Sequence, residues 1–309
     1  NEGRPVCSEM WPGNTTDVKT LLPIVKRLRT RFNIGTVCIV ADRGMISKDT
    51  IKTLEETEGV DYIVGVRMRN SKEAKEEVLC RGGRYQEVYP KSADPKAPSP
   101  LKVKEVRVGE RRYIVCHNED QAKKDAADRE AIVKSLEDQL RGGDKKLVGN
   151  KGYRKFLKSA GKSRFEVDYD KADEEARYDG KWVLRTSTKL SAKEAALKYK
   201  QLWMVEDIFR TTKSVLDTRP IWHKCDETIR GHVFCSYLAL ALRVELRTRL
   251  DAKGCKLQWH DVLRDLGNLL EIEITVHAKG YVLRTETHGT VGKVAQACGV
   301  ALPPTLRKA

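Results

Sequence analysis

Several things are scarce in this chain of 309 residues, and each scarcity removes a class of protein. No run of about 18 apolar residues occurs, so no segment reads as a membrane-spanning helix. No basic stretch followed by a short apolar core opens the chain, so no secretory leader is expected. The opening, NEGRPVCSEM, reads as though it starts inside a domain, and an upstream piece is expected. Eight cysteines are scattered without one CxxC pair. That disfavours a disulfide framework and fits the reduced thiols of a cytoplasm. A nucleotide P-loop is missing too: AGKS at 160–163 has Phe156 where the motif needs its first glycine. His223, Cys225, His232 and Cys235 are zinc-type ligands. Cys225 and Cys235 are separated by a helical pattern rather than a tight knuckle, so packed thiols and polar histidines are the better reading.

Positive charge is what the chain has in excess. The formal net charge is +15, with 33% charged and 40% hydrophobic residues. A core of useful size is possible, and the field outside it attracts polyanions, of which nucleic acid is the commonest. Residues 141–164 carry nine Lys or Arg against one acid, Asp144. Lys151, Arg154, Lys155 and Lys158 alternate there with Tyr153 and Phe156. Cations hold phosphates and rings stack on bases, so this is a candidate nucleic-acid track. A solvated lysine-rich face is the rival reading.

Periodicity supplies the order of elements. A short strand is expected over Val6–Trp11, then a turn, then a helix from Val18 to about Arg31 capped by Asp17. TVCIV at 36–40 and DYIVGV at 61–66 are buried strands. Between them Ser47 caps a helix that Gly59 closes, so the two strands should run parallel. A Pro-rich loop follows, then a hairpin turning at Gly109-Glu110 and a charged helix from Asp120 to Leu140. KWVLRTST at 181–188 is a strand. Ser191 and Glu194 form a capping box for one helix reaching about Leu216. A second long helix, Thr228 to about Leu250, carries an apolar band expected to be core. A smaller tail holds a helix near 258–270 and two short strands.

The chemistry is expected on the helix of YKQLWMVEDIFRTTK. Tyr199, Leu202, Glu206 and Lys213 fall on one stripe at about 100° per residue, with Phe209. A carboxylate among large apolar groups is costly to bury alone and needs a metal, a cation or a donor. Arg210, four residues on, is the plain partner. Asp42 follows the strand at 36–40, where ligands gather in α/β sheets; a turn-forming Asp is the alternative. Together, Asp42 and Glu206 are a candidate pair of ligands for Mg²⁺ or Mn²⁺.

This order of elements resembles the ribonuclease-H-like core of the DDE transposases. The helix resembles the Tyr-x2-Arg-x3-Glu-x6-Lys signature of one bacterial insertion-sequence group, the IS-four type. Tyr199, Glu206 and Lys213 match at the right spacings, and Leu202 stands at the arginine position. ADRGM around Asp42, WPGNTTD, RPIWH at 219–223 and GHVFCSYLAL at 231–240 are also similar to this family.

The resemblance implies an α/β fold: a ribonuclease-H-like core incomplete at its N-terminus, a β-rich and helical insertion, and a helical C-terminal region. The boundaries would be 1–66 for the first part of the core, 67–188 for the insertion, 189–250 for the rest and 251–309 for a small subdomain. It implies two Mg²⁺ (or Mn²⁺) ions in the complete enzyme, with Asp42 and Glu206 as catalytic metal ligands. The family's first Asp lies on an earlier strand that this chain does not match, so the chain alone is expected to be inactive. Lys213 and Tyr199 would face DNA, with plain core packing as the alternative for Tyr199, and Lys200 or Arg210 would substitute for the missing arginine. Trp182 is a candidate for stacking on a flipped base, with burial as its alternative. The partners would be double-stranded DNA, at transposon ends and target, and a second subunit in the DNA complex. The place would be the bacterial cytoplasm. Another ribonuclease-H-like nuclease, or a DNA-binding protein without catalysis, are the competing functions.

Overall fold

A computed structural model describes residues 3–92, 97–141, 154–159, 165–214, 216 and 218–309. It divides into two compact units, Trp11–Trp203 and Asn1–Met10 with Met204–Ala309.

The first unit is built on a six-stranded mixed sheet. Strands β1 (Val37–Ala41), β2 (Val60–Gly65), β3 (Gln86–Tyr89), β4 (Leu101–Val108), β5 (Arg111–His117) and β8 (Lys181–Thr186) take the order β1-β2-β8-β5-β4-β3. β1 and β2 are parallel, in register from Val37↔Val60 to Ala41↔Val64, as the strand–helix–strand pattern predicts. The remaining ladders are antiparallel. β4 and β5 form the expected hairpin, Val108 opposite Arg111, with Gly109 at a positive φ in the first loop position.

Why β1 and β2 read as unbroken apolar runs is clear from their two faces. Ile39, Ala41, Tyr62 and Val64 pack on one side with Leu21 and Leu54. These two leucines come from α1 (Asp17–Phe32) and α2 (Lys48–Glu56). Ile63 points the other way, into a cluster with Leu184, Ile114, Ala195 and Ala196. The two alanines lie on α5 (Ala192–Lys200), whose small residues let the helix approach the sheet. A sheet covered on both sides has no polar face to alternate with. Two helices, α3 (Glu119–Arg141) and α4 (Tyr169–Ala176), pack with the β6–β7 hairpin (Leu157–Ser159, Phe165–Val167) around Leu136, Phe156, Val167 and Ala172.

The second unit contains α6 (Leu202–Ser214) beyond its first turn, α7 (Asp226–Ala252), α8 (Trp259–Gly267), α9 (Val291–Cys298) and an antiparallel sheet of β9 (Glu271–Val276), β10 (Lys279–Arg284) and β11 (Leu306–Lys308). Its core joins Leu250, Val262 and Val294 to Trp259 and Leu266. Ile272, Ile274 and Val276 line one side of the edge strand β9 and are exposed.

Five local expectations are corrected. Val6–Trp11 is not a strand. Just before it, Arg4 pairs with Glu245 at 3.3 Å and Pro5 O accepts from Tyr237, so α7 holds the chain there. Asp17 is not the cap of α1. It is the helix's first residue, where its charge complements the dipole, and Thr16 takes the cap position. The helix opened by Ser191 does have its capping box, but it is two helices. Gln201 N–H is shared among the carbonyls of Leu197, Lys198 and Tyr199, which tightens and ends α5. Nothing in Lys200-Gln201-Leu202 marks that break. Finally, the apolar band of α7 is only half core: Leu240 and Leu250 are buried while Phe234, Leu238 and Leu242 are exposed. The tail also holds, among the described residues, two helices and three strands rather than one helix and two strands. No helix among the described residues is long and apolar enough to cross a membrane.

Candidate active site

Asp42 is the first residue beyond β1, at the carboxyl end of a parallel pair. A tight turn follows, with Met45 N–H donating to Asp42 O at 3.1 Å. The chain is pinned again one residue on, where Arg67 Nε donates to Arg43 O at 3.2 Å. The neighbouring strand β2 ends in Gly65, directly beside this turn. Asp42 is exposed, so its carboxylate is presented at the sheet's end rather than sunk beneath it.

Tyr199 reaches this carboxylate from α5. Its ring packs against the cluster of Ile63, Leu184 and Ala195, and its hydroxyl donates to Asp42 Oδ1 at 3.1 Å. Burial pushes the phenol's pKa well above its ordinary value, and the charge and hydrogen bond of Asp42 raise it further. At neutral pH the phenol therefore stays protonated and serves as a fixed donor. The other oxygen, Oδ2, faces Gly44, where even a methyl group would stand 3.7 Å away.

Glu206 and Lys213 lie on α6, in the second unit. The expected single stripe is thus divided: Tyr199 is on α5, while Leu202, Glu206, Phe209 and Lys213 are on α6. Nor is the Glu206 side a core face. Glu206, Arg210 and Lys213 are exposed, and Phe209 beside them is 59% exposed. Two apolar neighbours, Trp203 and Val205, are exposed as well. The requirement that a buried Glu206 find a partner therefore falls away.

The basic track fares unevenly. Lys151 lies outside the described residues, with most of the segment 141–164. Arg154 is exposed. Lys155 donates to the buried Glu175, and Lys158 pairs with Glu166 at 3.2 Å. Phe156, expected as a stacking ring, is buried in the α3–α4 core. Trp182 is half-buried on β8 and packs against the cluster beneath Tyr199. Around His223 the rings of His223 and His232 meet edge to face at 5.4 Å, and His232 Nε2 lies 3.1 Å from Thr218 O. All eight cysteines are free thiols.

Asp42 presents carboxylate oxygen, which suits a hard divalent cation over a soft one. Among the described residues no three His, Cys, Asp or Glu side chains gather into a ready cage. Mg²⁺ commonly takes one or two carboxylates together with substrate phosphate. Asp42 fits as one such ligand.

Sequence reasoning missed Gly65. The signal was there: a glycine inside an apolar strand pattern marks a place where something else comes close. The contact of Tyr199 with Asp42 had no signal, because 157 residues separate the two.

A family model described as "Transposase DDE domain" matches residues 1–242. No curated protein and no solved structure gives a significant match.

Proposed function

The chain belongs to the DDE-domain transposases, and from that membership we propose that it cuts and joins the DNA of a bacterial insertion sequence of the Tyr-Arg-Glu-Lys signature group. The reading takes the parallel β1–β2 pair as part of a ribonuclease-H-like core. The observation that carries it is the exposed Asp42 at the end of β1, with one oxygen held by Tyr199 and the other facing Gly44.

In this reading Asp42 and Glu206 hold divalent cations from two distant parts of the chain. When bound, a pair of such ions activates the attacking hydroxyl and stabilises the leaving oxygen in phosphodiester hydrolysis and strand transfer. The chain's own residues orient and neutralise. Tyr199 fixes the rotation of the Asp42 carboxylate. Lys213, two turns beyond Glu206, meets the phosphates of the transposon end, and Arg210 substitutes for the arginine of the signature. Lys151, Arg154 and Lys158 extend the contact with duplex DNA, while Lys155 serves the buried Glu175. Two subunits would bring two ends together in the bacterial cytoplasm. Cutting and joining are the family's reaction and need a third carboxylate; no residue of these 309 is assigned as one, so this chain by itself is expected to bind DNA without cleaving it.

A second reading, a DNA-binding protein without catalysis, is favoured by one observation: no three metal-type ligands gather among the described residues. Iron-directed backbone scission separates the two. Fe²⁺ replaces Mg²⁺ and, with ascorbate and peroxide, cuts the polypeptide beside its ligands. The expected result is cuts near both residue 42 and residue 206, suppressed by excess Mg²⁺ and lost in Asp42→Asn. Cuts confined to one segment, or unchanged in Asp42→Asn, would defeat the two-carboxylate assignment.

A further inference from the structure

Gly65 closes β2 at the point where Tyr199 passes over the sheet's end to reach Asp42. A Cβ built on Gly65 would stand 2.5 Å from the Tyr199 hydroxyl oxygen and 3.3 Å from its Cζ. It would also stand 3.3 Å from the backbone nitrogen of Arg43, the residue after Asp42. Neither obstacle is a floppy side-chain end. The Tyr199 ring is braced by the cluster of Ile63, Leu184 and Ala195, and the Arg43 backbone is pinned by Arg67. Gly65 itself is tied to Leu184 in the β2–β8 ladder, so it cannot back away. No positive φ requires glycine there: Gly65 is absent from the positive-φ glycines of the chain. The reason for glycine at this position is therefore space, and what fills the space is the phenol.

We propose that Gly65 is a positioning residue: its missing side chain is the gap through which the Tyr199 hydroxyl is seated on Asp42 Oδ1. A carboxylate whose one oxygen accepts the phenol presents the other, and the seat thereby sets how Asp42 faces an incoming hard cation. This second clause rests on Asp42 being a metal ligand as read above. The first does not.

Phenylalanine at 199 would remove the atom nearest to a methyl group at 65, leaving the ring's Cζ and the Arg43 nitrogen at 3.3 Å, so the larger part of the collision is relieved and a smaller part stays. The two positions are thus coupled, and the coupling distinguishes a spacer for the phenol from a glycine that merely suits the strand.

The test is a double-mutant cycle of Gly65→Ala and Tyr199→Phe, read in two ways on the full chain. In thermal melts, Gly65→Ala should lower Tm by about 5 °C alone and by less than half as much in the Tyr199→Phe background. Equal losses in the two backgrounds overturn the proposal. In titrations with Tb³⁺ as the hard-cation probe, each single variant should weaken binding about tenfold, as loss of a ligand's supporting hydrogen bond does. The double variant should be no weaker than either single. Unchanged affinities in both singles, or losses that multiply, also overturn it. Asp42→Asn reads the metal assignment separately. A Tb³⁺ titration insensitive to Asp42→Asn rejects Asp42 as a ligand, while the melts still decide what Gly65 does. If Gly65→Ala alone does not fold, recovery of folding in the double variant supports the spacer, and failure of both rejects it.

Discussion

Arg69 Nε donates to Glu175 Oε2 at 2.7 Å, across 106 residues of chain. Lys155 donates to the same oxygen, and the Glu175 side chain is 6% exposed. Burial alone would push this carboxyl's pKa up, but its hydrogen bonds to Lys155 and Arg69 outweigh that and leave it depressed. A depressed carboxyl contributes stability that is complete above its unfolded value, about 4.3, and disappears as pH falls through the folded value. Glu175→Gln should lower Tm at pH 7 and flatten the acid side of the stability curve below about pH 4. Melts across pH 3 to 7 check it; parallel curves for the two proteins would contradict it.

Gly180 has φ +62 and closes the turn into β8. Its N–H donates to Asp125 Oδ2 and its carbonyl accepts from Asn118 N–H, both at 2.8 Å. An added Cβ would collide with Asn118 O and stand 2.7 Å from the Ala122 methyl. Strain and collision act together, so Gly180→Ala should destabilise by about 3 kcal/mol. Denaturant melts measure this directly, and a cost below about 1 kcal/mol would show that α3 can yield.

DNA binding should separate the two groups of lysines. Wild-type affinity for duplex should fall about a thousandfold or more between 50 and 200 mM salt, through counterion release. Lys213→Ala should reduce the salt slope by about 1. Lys155→Ala should leave the slope closer to wild type and instead lower Tm, because its ammonium serves the buried Glu175. Fluorescence anisotropy at several salt concentrations gives both slopes, and a larger slope change for Lys155 would reverse the assignment.

The parallel β1–β2 pair was legible because its signal is local. TVCIV and DYIVGV are β-branched runs of strand length, separated by a helix with Ser47 at its start and Gly59 at its end. The hairpin at Gly109 was legible for the same reason. The order of the sheet was not, since β8 lies between β2 and β5 although more than sixty residues separate it from each. At the candidate site, Asp42 could be picked from its place after a strand. The partition of Tyr199 and Glu206 onto two helices could not, because spacing assumes a helix that continues, and no Gly or Pro announces the end of α5. Phe156 was misread by composition: a charge-rich segment looks like a solvated track until an apolar cluster is found beneath it.

The C-terminal sheet has a practical side. β9 pairs with β10 on one edge, and its other edge has no strand beside it among the described residues. Ile272, Ile274 and Val276 stand outward along that same strand. Backbone groups seeking a ladder beside a greasy ridge are what seed strand-to-strand sticking in a concentrated sample. Purification yield and sample lifetime would then be governed by a few residues near the end of the chain, and a single lysine placed at Ile274 is the economical remedy.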